Sequence, residues 1–396
     1  MDTIQRGIIA LLKSAVTGEP VTLPDGFDLE EACVRVRKHH MAALIYAGAV
    51  NCGLDQKQPA MVQLFQSYCK ALQVNERQMR ELDRVFQAFE RNGIDYLPMK
   101  GCLMKALYPR PELRMMGDAD VLIRPEQREK IAAVMQELGF TGGQEIEPHF
   151  VWDSPALNLE LHTQMIAAKY QKYYGYFGDG WELARPQQGG RYAMREEDTF
   201  LFLFAHFTKH YTVAGIGCRH VLDLWVYLRC HTGMDQAYIK KGMEKMGLWA
   251  FYQNILRLLA VWFDGEAEDE RTQLISQVIF ANGSWGTQNN AALNKGAQVM
   301  GKSKSALKSR VAHVWHALFP GRKVFLRMYP VLHKLPWLLP AVWVARLYTK
   351  VFRDGVTLKK YGTQLRMMNK EALSERRKML EYVGLKEEDQ FPKTGK

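Results

Sequence analysis

Two aspartates one residue apart, Asp118 and Asp120, open a β-forming run that continues to Ile123. On a strand, residues i and i+2 project to the same face, so the two carboxylates converge while Ala119, Val121 and Ile123 face a core. Two carboxylates on one face attract a divalent cation, and Mg²⁺ favours such oxygen ligands together with water and substrate phosphates. The pattern therefore indicates chemistry on nucleotide phosphates. A solvated strand end or a turn cap is the structural alternative.

An amphipathic helix that ends at Gly93 precedes this run. Its apolar residues recur at helical spacing: Leu82, Val85, Phe86 and Phe89. Residues 93–99 predict a short strand, which leads into Lys100 and Gly101 and then into a helical stretch over 103–108. A glycine at such a junction lets the backbone approach a ligand, and a helix N-terminus offers N–H groups to phosphate. Lys100 would add a positive charge there, unless Gly101 only turns the chain and Lys100 is solvated.

A third carboxylate follows downstream of the aspartates. Pro125 is placed to begin a helix that closes at Gly139. Two extended runs, 149–152 and 157–162, then flank a turn and predict a β-hairpin. In the second run leucines alternate with polar residues, which puts Glu160 on a polar face that could neighbour the aspartates. Three clustered acids repel one another unless a cation lies between them.

The order of these elements resembles that of a known family, the uncharacterised bacterial nucleotidyltransferases of the polymerase-beta superfamily. The resemblance spans roughly residues 30–350 and is densest over 94–225. The residues that carry it are Lys100, Gly101, Arg114, Gly117, Asp118, Asp120, Leu159, Glu160, Leu161 and His162, followed by His206, Lys209, His210, Gly217, Arg219 and Asp223.

The resemblance implies that Asp118, Asp120 and Glu160 are catalytic residues and metal ligands, and that Lys100 and Gly101 contact the nucleotide. It implies two Mg²⁺ ions, with Mn²⁺ as a possible substitute, that clamp the attacking and leaving oxygens of an in-line displacement. A nucleoside monophosphate would pass from a nucleoside triphosphate such as ATP to an unknown acceptor hydroxyl, and pyrophosphate would leave.

One departure from the superfamily lies at the first turn. Most active members carry a glycine-serine pair there, whereas this chain has Lys100, Gly101 and Cys102 and thus no hydroxyl for the triphosphate. The lysine can replace that contact as a point charge for phosphate.

Further polar residues are candidates for substrate binding. Arg114 either steers phosphate or pairs with a core aspartate, and His162 fits an orienting hydrogen bond better than a magnesium ligand. Lys209 and Arg219 are candidates for phosphate or acceptor contacts, although Arg219 could also form a helical ion pair with Asp223. The remaining histidines of interest, His206 and His210, have a spacing that can bind zinc but lack the rest of a zinc motif.

The chain of 396 residues is expected to fold as an α+β protein with more than one substructure. Residues 1–92 predict a helical segment, 93–195 an α/β nucleotidyltransferase core with a small mixed sheet and helices on one side, and 196–396 a larger helical domain. Residues 185–191 predict a linker or hairpin loop. We expect the active site in the cleft between the sheet and the C-terminal helices.

Positive charge is concentrated in the last third of the chain. Residues 301–380 hold 18 Lys or Arg and three acidic residues, whereas the net charge of the whole chain is +11. The apolar run 336–344 inside this segment is far too short for the roughly 20 residues of a spanning helix. It could lie on an anionic membrane surface or against nucleic acid. A solvated basic face over a core helix is the favoured alternative.

The six cysteines are scattered without a Cys-x-x-Cys pair, and the N-terminus lacks an apolar secretory segment. We therefore expect reduced thiols and a cytoplasmic location.

Two other function classes remain open from the sequence. The core could be a catalytically weak scaffold whose basic helical region binds nucleic acid, an anionic membrane or a protein partner, although the retention of three carboxylates argues against this. A sugar-nucleotide glycosyltransferase also uses an Asp-x-Asp pair. That class needs alternating strands and helices before the acidic pair, where this chain is predicted to be helical.

Overall fold

A computed structural model describes residues 1–146, 149–283, 335–348 and 370–385. These residues fall into two compact units. The first holds residues 1–146, 149–210, 216–283 and 383–385, and it contains the sheet and all candidate catalytic residues. The second holds residues 211–215, 335–348 and 370–382. The three-segment division expected from the sequence stays a prediction.

Helices precede and follow a compact β region. The α-helices are α1 (Thr3–Thr17), α2 (Leu29–Arg37), α3 (Ala42–Asn51), α4 (Pro59–Arg91), α5 (Gly101–Met104), α6 (Arg128–Glu137), α7 (Gln171–Phe177), α8 (Glu196–Val213), α9 (Cys218–Cys230), α10 (Gln236–Lys245), α11 (Trp249–Leu259), α12 (Glu270–Ala281), α13 (Leu339–Tyr348) and α14 (Lys370–Tyr382). The strands are β1 (Tyr96–Pro98), β2 (Ala119–Ile123), β3 (Thr141–Ile146), β4 (His149–Asp153), β5 (Asn158–His162), β6 (Arg185–Pro186) and β7 (Tyr192–Ala193).

Five strands form a mixed sheet in the order β1-β2-β5-β4-β3. The β2 and β5 strands run parallel, while each of the other neighbouring pairs is antiparallel. The pairing of β2 with β5 places Asp120 directly opposite Glu160. The predicted neighbourhood of the aspartate strand and the Glu160 strand is thus confirmed.

One face of the sheet is covered by two helices. The 33-residue helix α4 and the shorter α6 bury apolar side chains against the odd-numbered residues of β2, among them Val121. The cluster also includes Leu82, Val85, Phe89, Ile131, Met135, Ala119, Ile123, Leu159 and Leu161. Because side chains alternate along a strand, this core leaves Asp120 and Glu160 on the opposite face. The molecule is therefore a mixed α+β protein with a small five-stranded sheet, as predicted.

Local elements largely follow the sequence pattern. The hairpin formed by β4 and β5 is confirmed, and residues 185–193 form a second, two-stranded hairpin. The helical stretch expected at 103–108 begins earlier, at Gly101, and continues as a 3₁₀ turn over Lys105–Leu107.

The second unit contains part of the basic segment. A 3₁₀ turn at Pro336–Leu338 leads into α13, where Trp337 and Val344 are exposed. Most of the 301–380 segment lies outside the described residues, and so do most of its basic side chains. Among the described helices, none combines the length and the apolar character needed to cross a membrane.

The contact between α1 and α3 provides a test of the helical packing. A Cβ at Gly48 would lie 2.0 Å from the Leu11 carbonyl oxygen, and backbone cannot move aside as a flexible side chain can. Gly48→Ala should therefore lower the free energy of unfolding by roughly 2 kcal/mol or more, measured by urea denaturation.

The matched control is Gly175→Ala, because a Cβ at Gly175 of α7 meets nothing within 4 Å. That replacement should be neutral or stabilise the protein by up to about 1 kcal/mol. Equal effects of the two substitutions would contradict the described packing of α1 on α3.

Candidate active site

Three carboxylates meet on the open face of the sheet. Asp118 immediately precedes β2, Asp120 lies on β2, and Glu160 lies opposite Asp120 on β5. One oxygen from each carboxylate can be chosen so that all three lie within 4.8 Å of one another. The structure thus brings the three predicted metal ligands together, as the parallel pairing of β2 with β5 requires.

Asp120 is the buried member of the group, with 3% of its surface exposed. Its Oδ1 atom accepts hydrogen bonds from two groups, Lys100 Nζ at 2.5 Å and His162 Nε2 at 2.8 Å. Burial alone would raise the pKa of Asp120, but Lys100 and His162 hold it well below its usual range. Asp120 is therefore a carboxylate at neutral pH, and His162 takes the orienting position expected from the sequence.

The other two carboxylates respond differently to their surroundings. Asp118 reaches solvent, yet the protein around it limits its hydration and the negative charges of Asp120 and Glu160 repel it, so its pKa is raised. A hydrogen bond from His162 is the main cause of the lowered pKa of Glu160, and His149 contributes. Loss of hydration is thus the main cause of the raised pKa of Asp118, and repulsion from the neighbouring carboxylates adds to it.

Lys100 adopts an unusual backbone conformation directly after β1. Its φ is +44°, in the left-handed region that non-glycine residues rarely occupy. Burial lowers the pKa of its ammonium group, but the Asp120 carboxylate more than offsets this, so the pKa is raised overall. The turn thus directs a charged side chain to the carboxylates at a cost in backbone strain.

Gly101 is not the residue that turns the chain, because the left-handed backbone conformation belongs to its neighbour Lys100. A Cβ at Gly101 would lie 2.8 Å from Nη1 of Arg114 and about as close to the Met116 side chain. The missing side chain therefore leaves room for Arg114 beneath the turn.

A buried ion pair joins the loop before β2 to helix α9. Arg114 donates to Asp223 through Nη2 at 3.0 Å and Nε at 3.3 Å, and the Tyr108 hydroxyl donates to the same carboxylate at 2.8 Å. Of the two roles considered for Arg114, pairing with a core aspartate is the one observed. Arg219, the other arginine considered as a partner of Asp223, donates to the Met115 carbonyl at 3.0 Å. The hydrogen bonds to Asp223 come from Arg114 and Tyr108.

Lys105 also holds the loop that precedes β2, through hydrogen bonds from its ammonium group. Its ammonium group donates to Asn75 Oδ1 at 2.7 Å and to the carbonyls of Pro111 and Arg114 at 3.1 and 2.8 Å. Burial lowers the pKa of Lys105 to about 8. These contacts hold the chain so that Arg114 reaches Asp223.

Helix α8 supplies a basic and histidine-rich wall opposite the carboxylates. The Nε2 atoms of His206 and His210 lie 3.0 Å apart, and burial holds the pKa of both rings well below the usual value. Burial, with the nearby Lys100 charge, also lowers the pKa of Lys209 to about 8. Neither histidine belongs to a group of three potential metal ligands in the described part of the chain.

A pocket of about 450 Å³ lies between the sheet and these helices. Its lining includes every candidate site residue of the sequence analysis: Lys100, Gly101, Arg114, Asp118, Asp120, Glu160, His162, Lys209 and Arg219. The predicted cleft is therefore present, while the individual roles of these residues stay predictions.

A family model described as "uncharacterised nucleotidyltransferase" matches residues 25–264. The chain belongs to this nucleotidyltransferase family. No curated protein and no solved structure matches the chain. The matched range contains the whole sheet and the described pocket, so the family assignment applies to the site itself.

Several pocket residues of this nucleotidyltransferase were not identified from the sequence. His149 lies on β4 directly opposite His162, and His220 and Lys169 also line the pocket. The hairpin pattern contained the signal for His149, since strand register decides which residues face each other. Neither His220 nor Lys169 lies in a local sequence pattern that indicates a functional site.

The pKa of Lys209 leads to a pH prediction. Below about pH 8 the side chain carries a positive charge that favours an anionic nucleotide, and this charge is lost as the pH rises through about 8. A charged hydrogen bond is worth about 1.5–3 kcal/mol, so nucleotide affinity should fall by roughly tenfold between pH 7 and pH 9. Titration calorimetry with a non-hydrolysable nucleoside triphosphate measures this change.

Lys209→Arg is the control, because arginine stays charged throughout this range. The variant should bind the nucleotide with similar affinity at pH 7 and pH 9. The same loss of affinity in the arginine variant would show that another group titrates.

Proposed function

We propose that the protein is a Mg²⁺-dependent nucleotidyltransferase that moves a nucleoside monophosphate from a nucleoside triphosphate to an acceptor hydroxyl. The acceptor oxygen forms a bond to the α-phosphorus while the bond from that phosphorus to the bridging oxygen breaks, and pyrophosphate leaves. The observation that carries the proposal is the convergence of Asp118, Asp120 and Glu160 in a pocket that also contains Lys100. Membership of a nucleotidyltransferase family supports it.

The chemistry of the three side chains fits magnesium. All three offer hard carboxylate oxygens, and a divalent cation would relieve the repulsion among them, which contributes to the raised pKa of Asp118 after the effect of burial. When bound, such ions polarise the reacting phosphate and the acceptor hydroxyl and neutralise the developing charge. Asp118, Asp120 and Glu160 would hold them.

Lys100 would assist in two ways. In the described conformation its ammonium group neutralises part of the carboxylate charge by pairing with Asp120. A metal ion at Asp120 would compete for the same oxygen, so the ammonium group is then available to a phosphate in the same pocket. We propose that Lys100 in this way supplies the phosphate contact that serine makes in other members of the superfamily.

The helical wall would bind the rest of the nucleotide or the acceptor. Lys209 and Arg219 line the same pocket as the carboxylates, and both provide cationic groups. Positive groups placed before the reaction stabilise the charge that moves onto the departing pyrophosphate. Gly101 and Arg114 would act indirectly, since Arg114 is engaged with Asp223 and Gly101 makes room for it.

A position in the polymerase-beta superfamily, a bacterial source and a cytoplasmic location remain predictions from the sequence.

The helices that precede β1 favour nucleotidyl transfer over a sugar-nucleotide glycosyltransferase. In the described chain, residues before β1 form only helices α1 to α4 instead of alternating strands and helices.

The central test is a screen of α-³²P-labelled nucleoside triphosphates against cell extract with wild type and Asp118→Asn. Wild type should attach label to an acceptor in the presence of Mg²⁺. The variant should lose roughly a hundredfold or more of this activity, because one of the carboxylates that would hold the catalytic cation is removed. Asp118 suits the test because its side chain is exposed. The melting temperature of the Asp118→Asn variant should therefore stay near that of wild type.

Asp25→Asn is the matched control, since Asp25 is an exposed aspartate in the loop before α2. It should transfer label at the wild-type rate. Full activity of Asp118→Asn would refute the assignment. Asp120→Asn is less informative, because it removes the charge that pairs with the half-buried Lys100 and should itself destabilise the fold.

A further inference from the structure

A second group of potential metal ligands shares Glu160 with the first. His149, Glu160 and His162 each offer one ligand atom, and these three atoms lie within 4.8 Å of one another. His149 Nε2 is 3.7 Å from Oε1 of Glu160, and His162 Nε2 is 3.5 Å from Oε2. Each ring thus places its Nε2 atom near one oxygen of the Glu160 carboxylate. His162 Nε2 also lies 2.8 Å from Asp120 Oδ1, so an ion bound to this nitrogen would take the place of that hydrogen bond.

The arrangement follows from the strand register. On β5, Glu160 and His162 are two residues apart and project to the same face. The antiparallel pairing of β4 with β5 places His149 opposite His162, and their ring centroids are 5.0 Å apart. The rigid hairpin therefore fixes all three side chains, which is what a preformed cation site requires.

Three carboxylates meet at this position, since Glu160 belongs to this group and one oxygen each of Asp118 and Asp120 lies within 4.8 Å of it. Lys100 pairs with Asp120, and the cationic side chains of Lys169, Lys209 and Arg219 line the same pocket. The carboxylates supply the negative charge at this position, and the two imidazole rings supply the nitrogen ligands.

The ligand types differ between the two groups. Asp118, Asp120 and Glu160 offer only oxygen, which suits Mg²⁺. Two imidazole nitrogens with one carboxylate instead suit first-row transition metals and leave coordination positions open for substrate oxygens. A pocket with both groups can distinguish two kinds of divalent ion.

We propose that His149, Glu160 and His162 form a second cation site that selects a first-row transition-metal ion over Mg²⁺, and Mn²⁺ serves as the paramagnetic probe of this site. Glu160 bridges this site and the magnesium site. Binding of the ion stands on these side chains alone, whereas its use in group transfer rests on the proposed nucleotidyltransferase function.

The test uses the full-length chain stripped of metal with a chelator and then loaded with Mn²⁺ in the absence of nucleotide. Pulsed electron paramagnetic resonance detects nitrogen nuclei bound directly to Mn²⁺. Wild type should show nitrogen modulation, and labelling of histidine with ¹⁵N should change its frequencies. Asp118→Asn should keep the nitrogen signal, because Asp118 belongs to the oxygen-only group.

His149→Gln should weaken Mn²⁺ binding by tenfold or more and reduce the nitrogen modulation. His231→Gln is the matched control, because His231 contacts Tyr227 in α9 and does not line the pocket. Circular dichroism checks that each variant is folded. If His149→Gln fails to fold, the ¹⁵N-histidine experiment on wild type decides the matter without a substitution.

Mn²⁺ bound to wild type without histidine nitrogen modulation would overturn the proposal. Modulation that is unchanged in folded His149→Gln would overturn the assignment of this ring. The outcome for group transfer is separate: nitrogen-bound Mn²⁺ with no labelled acceptor would contradict the proposed function alone. Mg²⁺-dependent transfer without nitrogen-bound Mn²⁺ would contradict this inference alone.

Discussion

The buried carboxylate of Asp120 is the constraint on which the site depends. A charge at 3% exposure is tolerated only where strong partners compensate for lost hydration, and Lys100 and His162 both bond to its Oδ1. Each partner is held by a different element, Lys100 by the strained turn after β1 and His162 by β5. Pairing of β2 with β5 therefore brings the acids and His162 together, and pairing of β2 with β1 brings Lys100 to Asp120.

The helical wall is attached to this sheet by a second buried ion pair. Arg114 and Asp223 are far apart in the chain, yet their contact, supported by Tyr108, fixes α9 against the loop that leads into β2. Breaking one partner of such a pair leaves a buried charge uncompensated, which is strongly destabilising. The pocket consequently has two rigid sides, and the cationic and histidine side chains of α8 and α9 keep a defined position relative to the carboxylates.

The sequence was most informative where local periodicity decides the structure. Strand alternation predicted that Asp118, Asp120 and Glu160 share a face, because this depends only on spacing and on which strands are neighbours. The Arg114–Asp223 pair was only one of two options, since nothing local identifies a partner on another helix. His149 was missed through register: a turn over 153–156 would place it opposite Glu160, whereas Ser154 closes the turn on Leu157 and pairs His149 with His162. The left-handed backbone of Lys100, next to a glycine, could not be foreseen from propensity.

We propose that these carboxylates serve transfer at the α-phosphorus of a nucleotide. The most direct measurement compares nucleoside triphosphates labelled at the α-phosphate with those labelled at the γ-phosphate, using wild type, Mg²⁺ and cell extract as the source of acceptor. We predict covalent label on the acceptor from the α-position only, with the γ-label recovered in pyrophosphate. Label from the γ-position on the acceptor, or no metal-dependent label from either position, would contradict nucleotidyl transfer by this protein.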